Sequence, residues 1–117
     1  MTTEPRALRA FRLLGLARRA GAVAPGTDAV RRSIRDGTAR LILTAEDASG
    51  VQLEKIRTTL HDRSIPRAVL GDRTTLGAAI GFARLSAVAI TDGSLADRLA
   101  AELDLAVGGR GSDAVEA

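Results

Sequence analysis

Few side chains in this sequence are suited to catalysis or to metal binding. The 117 residues include no cysteine and a single histidine, His61. Without cysteine there can be no disulfide, no thiol catalysis and no cysteine-ligated zinc. A metal cluster or catalytic triad that needs several histidines is also excluded. We interpret His61, which lies near the end of a predicted helix, as a surface or capping residue rather than a catalytic base.

Three carboxylates stand where an enzyme could use them. Glu46 and Asp47 follow a predicted strand, as an acid–base pair would, and Asp92 ends another strand, where α/β enzymes often place an acid. No third metal ligand accompanies the pair, and Asp47 and Asp92 also stand where helix N-caps are expected. The glycine-containing segment 76–83 lies within a helix pattern and lacks the lysine of a nucleotide phosphate loop. We therefore predict no catalytic centre, no metal site and no cofactor.

Arginine is the residue type that this sequence offers for binding. Seventeen basic residues, all but one of them arginine, face 14 acidic ones, which gives a net charge of +3. Residues 1–40 carry nine arginines and three acids, whereas residues 41–117 have a net charge of −3. GC-rich coding accounts for arginine in place of lysine, but it does not explain why the bases gather at one end. The asymmetry favours a surface that faces a polyanion.

Aromatic side chains are too few for one common form of RNA recognition. The sequence has two phenylalanines, Phe11 and Phe82, and no tyrosine or tryptophan. RNA-recognition motifs and OB folds stack bases on several exposed aromatic rings. Since Phe11 belongs to the apolar face of the first predicted helix, only Phe82 remains. An RNA-binding role would therefore depend on backbone amides, arginine and shape.

Hydrophobic periodicity and turn residues predict five helices that alternate with four short strands. The helices are expected over residues 6–20, 28–36, about 50–63, 74–81 and 95–103, and the strands over residues 22–24, 39–44, 67–71 and 86–91. The first helix has an apolar stripe at steps of three, formed by Leu8, Phe11, Leu14 and Ala17. The expected N-caps are Thr27 or Asp28, Asp47 or Ser49, Asp72, and Asp92 or Ser94. The strands are apolar runs rather than alternations, which predicts an α/β fold whose central sheet has helices on both faces.

The length of the chain predicts a single domain. We expect this domain to span residues 5–105 and the glycine-containing tail 106–117 to be disordered. No apolar run reaches the roughly 20 residues of a membrane helix. The first residues contain an acid and a proline before any apolar stretch, which is not the pattern of a signal peptide. We expect a cytoplasmic protein that is monomeric and has no contact with a membrane.

Four segments in sequence resemble the kink-turn-binding ribosomal-protein family that is named after L7Ae and includes L30e. They are LLGLARRAG, GTDAVRRSIRDGTARLILTAEDAS, IPRAVLGDRTTLGAAIG and ARLSAVAITD. The resemblance covers residues 13–103 in the family's order and spacing. Within the family the sequence is most similar to the small bacterial branch called YlxQ. The resemblance implies a three-layer α/β/α sandwich with a mixed four-stranded sheet. It also implies an RNA partner, either ribosomal RNA or the ribosome.

The resemblance further implies an RNA site made of three loops. The matching positions are Gly26, Thr27, Asp28, Ala29, Arg31 and Arg32 in the first loop and its helix, Glu46 and Asp47 in the second loop, and Phe82, Ala83, Arg84 and Leu85 in the third, with Arg18 and Arg19 close to the first loop. Arg31 and Arg32 are both expected to be exposed. Two alternatives remain open, since these arginines could form an ordinary solvated helix face and Phe82 could belong to the core.

One departure from the family lies within the first loop. Relatives carry Asn-Glu where this sequence has Asp28 and Ala29. In those relatives the pair recognises the polar edges of sheared G·A base pairs. Losing such a base-edge contact costs about 1–3 kcal/mol of discrimination. The sequence thus predicts attachment to structured RNA with weakened kink-turn recognition.

Two other functions are compatible with the same residues. Some RNA ribose methyltransferases carry a domain of this fold, so the protein could be an accessory domain that works with such an enzyme. It could also be a protein-interaction module that binds no RNA. Of the three, a non-enzymatic RNA-binding protein agrees best with the arginine-rich first third of the chain.

Overall fold

The computed structural model describes residues 5–105, which form five helices and four strands in strict alternation. The elements are α1 (Arg6–Arg19), β1 (Val23–Pro25), α2 (Thr27–Arg35), β2 (Leu41–Thr44), α3 (Gly50–Leu60), β3 (Arg67–Val69), α4 (Arg73–Ala78), β4 (Ala87–Ile90) and α5 (Gly93–Glu102). The predicted number and order of elements are confirmed, with shifts of a few residues at their ends. The tail 106–117, for which disorder is predicted, lies outside the described residues.

The four strands form one mixed sheet in the order β1-β4-β2-β3. β4 is antiparallel to both β1 and β2, and only β2 and β3 are parallel. Because the parallel neighbours need a crossover, α3 connects them across one face of the sheet. The mixed four-stranded sheet is thus confirmed.

Helices cover both faces of the sheet and create two separate cores. Leu43 of β2 packs with α1, α4 and α5, whereas its neighbour Ile42 packs with α2 and α3. Every residue of β2 and of β4 is buried. A strand that is covered on both faces has no polar side, which explains why these strands are continuous apolar runs in the sequence. The three-layer α/β/α sandwich is confirmed.

The apolar stripe predicted for α1 is partly wrong. Its buried residues are Ala10, Leu14 and Ala17, while Leu8 keeps 42% of its surface exposed. Spacings of three and four residues stay on one face of a helix with 3.6 residues per turn, but repeated steps of three drift around it. The stripe therefore leaves the core at its N-terminal end.

Helix caps agree with the sequence at three helices and differ at one. The side chains of Ser49, Asp72 and Asp92 each accept a hydrogen bond from the amide three residues further on. At α2 the predicted caps are wrong, since the N-cap is Gly26 and no side chain caps the helix. Gly26 has a φ of 96°, which a glycine adopts without strain and a threonine or aspartate rarely does.

The cap at Asp72 makes a testable contribution to acid sensitivity. Its carboxylate accepts hydrogen bonds from the backbone and side chain of Thr75, and these lower the pKa of Asp72 in the folded protein. A carboxyl whose pKa is lower in the folded state stabilises the protein above its unfolded pKa, and this contribution is lost as the pH falls through the folded pKa. Asn caps a helix as well as Asp but does not titrate. We expect the free energy of unfolding, measured with urea, to fall less steeply with decreasing pH in Asp72→Asn than in the unmodified protein. An unchanged pH dependence at acid pH would contradict this assignment.

Candidate nucleic-acid interface

Three connections of the chain meet at one end of the sheet. We call them the first loop (residues 25–27), the second loop (45–49) and the third loop (81–86). β1 and β2 both end at this edge and β4 begins there, because the register pairs Pro25 with Val88 and Thr44 with Ala87. The sheet topology thus brings together the three segments that the family resemblance singled out.

Backbone hydrogen bonds hold these loops to β4 and to each other. The Gly26 amide donates to the Ala87 carbonyl at 2.8 Å, and the Ala45 amide donates to the Ser86 carbonyl at 2.9 Å. Because residues 86 and 87 accept from both of the other loops, the start of β4 is the common support of this end of the molecule. We call the resulting surface the three-loop face.

The first loop presents the N-terminus of α2 on this face. The Gly26 carbonyl accepts from Val30, but the amides of residues 27–29 precede any intrahelical acceptor, and no side chain caps them. Free amides at the positive end of a helix dipole bind phosphate oxygens well. Leu85 lies beneath the loop, 4.0 Å from where a Cβ on Gly26 would stand, and is only 7% exposed. It therefore supports the first loop from inside.

The side chains of α2 separate into an exposed set and an anchored one. Asp28 is exposed in the first turn, Thr27 and Ala29 are half-buried, and Arg32 is exposed in the last turn. Arg31, by contrast, is half-buried, and its Nε donates to Thr59 Oγ1 of α3 at 2.8 Å. The expectation that Arg31 is exposed is wrong, since this side chain joins two helices of one layer.

The second loop is fixed by a pair of residues that lie 26 positions apart. Asp47 Oδ1 accepts from the Arg73 amide at 2.8 Å, and Oδ2 accepts from Arg73 Nε at 3.3 Å. The Arg73 carbonyl in turn accepts from the Leu85 amide of the third loop at 3.0 Å. Asp47 is thus a link between loops and not the N-cap of α3, while the neighbouring Glu46 side chain is exposed.

Arg73 was not among the residues that the sequence suggested for this site. It stands beside the expected cap Asp72, where an ordinary exposed helix residue would also be found. Nothing in the local pattern distinguishes it, because both of its partners in the loops come from distant parts of the chain. Its contribution is to connect the second loop to the third.

The third loop packs against the C-terminal part of α1. Arg18 Nη1 donates to the Ile80 carbonyl, and the Arg18 guanidinium carbon lies 5.5 Å from the centroid of the Phe82 ring. Phe82 keeps 38% of its surface exposed, so it is not a core residue, and Ala83 and Arg84 are exposed beside it. The described contacts of Arg18 are thus with Ile80 and with Phe82 of the third loop.

The described residues show neither a metal site nor a membrane span. Within residues 5–105, no three side chains of the metal-binding types come together in a way that could hold an ion. In the same range, no helix combines the length and the apolar character needed to cross a bilayer.

Comparison with known sequences agrees with the resemblance drawn from the motifs. A sequence model of the ribosomal protein L7Ae/L30e/S12e/Gadd45 family matches residues 9–100. The RNA-binding protein YlxQ of Bacillus subtilis (strain 168) is 38% identical over 94 residues, which cover 80% of this chain and 94% of that protein. The large ribosomal subunit protein eL8 of Thermoplasma volcanium is 29% identical over 92 residues, which cover 78% and 76% of the two chains.

Comparison with solved structures supports the same assignment. A protein of unknown function from Bacillus halodurans C superimposes with a TM-score of 0.76 at 30% identity, covering 81% of this chain and 96% of that one. The Giardia lamblia 15.5kD RNA binding protein superimposes with a TM-score of 0.69 at 18% identity, covering 89% and 92%, and so shares the fold. With its sequence matched over residues 9–100, this chain belongs to the L7Ae/L30e/S12e/Gadd45 family of ribosomal proteins.

Proposed function

We propose that this protein binds structured RNA through the three-loop face and catalyses no reaction. The observation that carries the proposal is the junction of the three loops around the uncapped N-terminus of α2. Backbone amides there are held rigidly by the sheet, so they are ready to receive phosphate oxygens without reordering. The partner is ribosomal RNA or the ribosome, and the protein acts in the cytoplasm as a monomer.

The relatives support RNA as the partner. One is named an RNA-binding protein and another a protein of the large ribosomal subunit. The match to the first extends over nearly its whole length. It thus includes the segments that form the three-loop face in this chain.

Three arginines, one each from α1, α2 and the third loop, are available for phosphate contacts. Arg19, Arg32 and Arg84 are exposed, and within residues 5–105 their side chains make no intramolecular hydrogen bond or ion pair. Arg31 and Arg18 have intramolecular partners instead. In our proposal the three exposed arginines supply the electrostatic attraction, and the amides of α2 place the RNA.

RNA binding by this face should depend on salt to a degree set by those three arginines. Each neutralised phosphate contributes about 0.7–0.9 to the slope of log affinity against log salt concentration, so we expect a slope of about −2 to −3. Fluorescence titration of a structured RNA over a range of salt concentrations measures it. A slope near zero would contradict an arginine-based interface.

The natural RNA can be identified by crosslinking in cells followed by sequencing of the attached RNA. Enrichment of ribosomal RNA would support the proposal in full, whereas enrichment of another structured RNA would retain the interface and change the partner. Co-purification with and without nuclease is the companion measurement. A complex that survives nuclease and contains no RNA would contradict the proposal.

A further inference from the structure

We propose that Arg18 is a positioning residue of the three-loop face, which holds Phe82 and the third loop in place and does not itself bind phosphate. The inference rests on the proposed function and assigns a specific role within it. Arg18 and Arg19 are adjacent arginines at the end of α1. Sequence alone gives no reason to assign them different roles.

The contacts of Arg18 use its guanidinium in two ways. Nη1 donates to the Ile80 carbonyl, which is the last backbone acceptor before the third loop. The guanidinium carbon lies 5.5 Å from the Phe82 ring centroid, within the range of a cation–π contact. Turning the side chain outward to meet a phosphate would break both contacts. In this position the guanidinium is engaged by the Ile80 carbonyl and the Phe82 ring.

The third loop also contacts Gly77 of α4. The Phe82 amide donates to the Gly77 carbonyl at 2.8 Å. A Cβ on Gly77 would stand 2.8 Å from the Phe82 carbonyl oxygen, closer than real Cβ atoms come, and 3.0 Å from the Arg84 Cα, which is a tight contact. The loop therefore lies directly on α4. With Arg18 against the same segment from α1, two helices determine where Phe82 and Arg84 stand.

The arrangement has a consequence for recognition. Phe82 is 38% exposed although Arg18 lies over its ring, so the remaining ring surface faces solvent. An aromatic ring that is fixed in place can stack one unpaired base without first losing conformational freedom. Arg18 thus acts on RNA through Phe82. Its substitution should therefore lower affinity only for RNA that contains an unpaired base.

The test compares three variants on two RNAs. Arg18→Gln retains a donor for the Ile80 carbonyl but removes the cation, Arg18→Lys retains both a donor and a charge, and Arg19→Gln is the matched loss of the adjacent charge. The RNAs are a duplex with one bulged nucleotide and the same duplex fully paired. Binding is titrated at several salt concentrations, so that each variant has an affinity and a salt slope for each RNA.

We expect Arg18→Gln to weaken binding of the bulged duplex by about tenfold at every salt concentration. The slope of log affinity against log salt concentration should stay that of the unmodified protein. Binding of the paired duplex by Arg18→Gln should stay within about twofold, and Arg18→Lys should recover most of the loss. Arg19→Gln should instead reduce the slope by about 0.7–0.9 on both RNAs. A similar reduction of the slope in Arg18→Gln would overturn the proposal, because it would identify Arg18 as a phosphate contact.

A measurement without RNA separates this inference from the proposed function. In the free protein, Arg18→Gln should speed hydrogen exchange at the Phe82 amide at least about tenfold, while amides of β2 keep their protection. Unchanged exchange at Phe82 would overturn the positioning role even if RNA binding is confirmed. Faster exchange in a protein that binds neither duplex would refute the proposed function and leave the role of Arg18 in the loop intact.

Discussion

Reversing the charge of Arg32 and Arg84 together should weaken the binding of structured RNA by about 100-fold, which is about 2.7 kcal/mol. Arg32 lies in the last turn of α2 and Arg84 in the third loop, and both side chains are exposed. Each change to glutamate removes an attraction to phosphate and adds a repulsion, so the loss should exceed that of neutral substitutions. Titration of the same RNA with both proteins at low and moderate salt measures the effect.

Arg40→Glu is the matched control for this pair. Arg40 precedes β2 at the edge of the sheet opposite the second loop, and its only described side-chain contact is an exposed hydrogen bond from Nη1 to the Gly37 carbonyl. We expect its charge reversal to change RNA affinity by less than about threefold, since it acts only through the general field of the protein. If Arg40→Glu weakens binding as much as the double variant, binding does not depend on the three-loop face.

Folding should survive these changes. Arg84 is an exposed loop residue, and substitutions at such positions usually alter stability by less than about 0.5 kcal/mol. Arg32 stands near the negative end of the α2 dipole, where a glutamate costs about 0.3–1 kcal/mol. Urea unfolding of the double variant checks that lost binding is not lost structure. Arg31 is omitted from the pair because its bond to Thr59 would be lost as well.

The double change Asp28→Asn plus Ala29→Glu should raise affinity for a standard kink-turn at least about tenfold, or about 1.4 kcal/mol. Ionised Asp only accepts hydrogen bonds, whereas Asn also donates, and a glutamate can accept from the polar edge of guanine where Ala29 offers nothing. Asp28 is exposed in the first turn of α2, on the three-loop face, and Ala29 follows it. Both positions thus lie where the resemblance predicts recognition of the base pairs.

The structure also shows why this variant should fold. Since Gly26 is the N-cap, Asp28 is not needed for capping, and its replacement loses only the favourable charge at the helix N-terminus, about 0.3–1 kcal/mol. A carboxylate at position 29 restores a charge in the same turn, at the third helical position, where Glu is favourable. The stability of the variant should therefore remain close to that of the unmodified protein.

A kink-turn whose G·A pairs have been mutated is the control RNA for this experiment. The gain in affinity should disappear on that RNA, because the introduced side chains are expected to contact those base edges. Titrating both proteins against both RNAs gives the four affinities required. Tight binding by the unmodified protein that depends on the G·A pairs would show that Asp28 and Ala29 do not weaken kink-turn recognition.

Sequence patterns correctly predicted the features that depend on residues close together in the chain. The apolar runs that became β2 and β4 indicated strands covered on both faces, and the side-chain caps Ser49, Asp72 and Asp92 act over three residues. Gly26 was predicted to belong to the RNA site, and the structure adds that it occupies the N-cap position of α2. That role escaped prediction because the positive φ of Gly26 belongs to a turn imposed by the junction with β4.

The sequence by itself determined the order of elements, the α/β class, the family and the clustering of positive charge in the first 40 residues. Only the tertiary structure decided which arginines remain available to RNA. Arg31 is hydrogen-bonded to Thr59, 28 residues away in sequence. Arg18 is hydrogen-bonded to Ile80, 62 residues away, and Arg73 to Asp47, 26 residues away. A guanidinium is equally cationic in every sequence context, so its role depends on which acceptor or ring the fold brings within reach. That proximity arises from the packing of distant segments, on which the local spacing of residues carries no information.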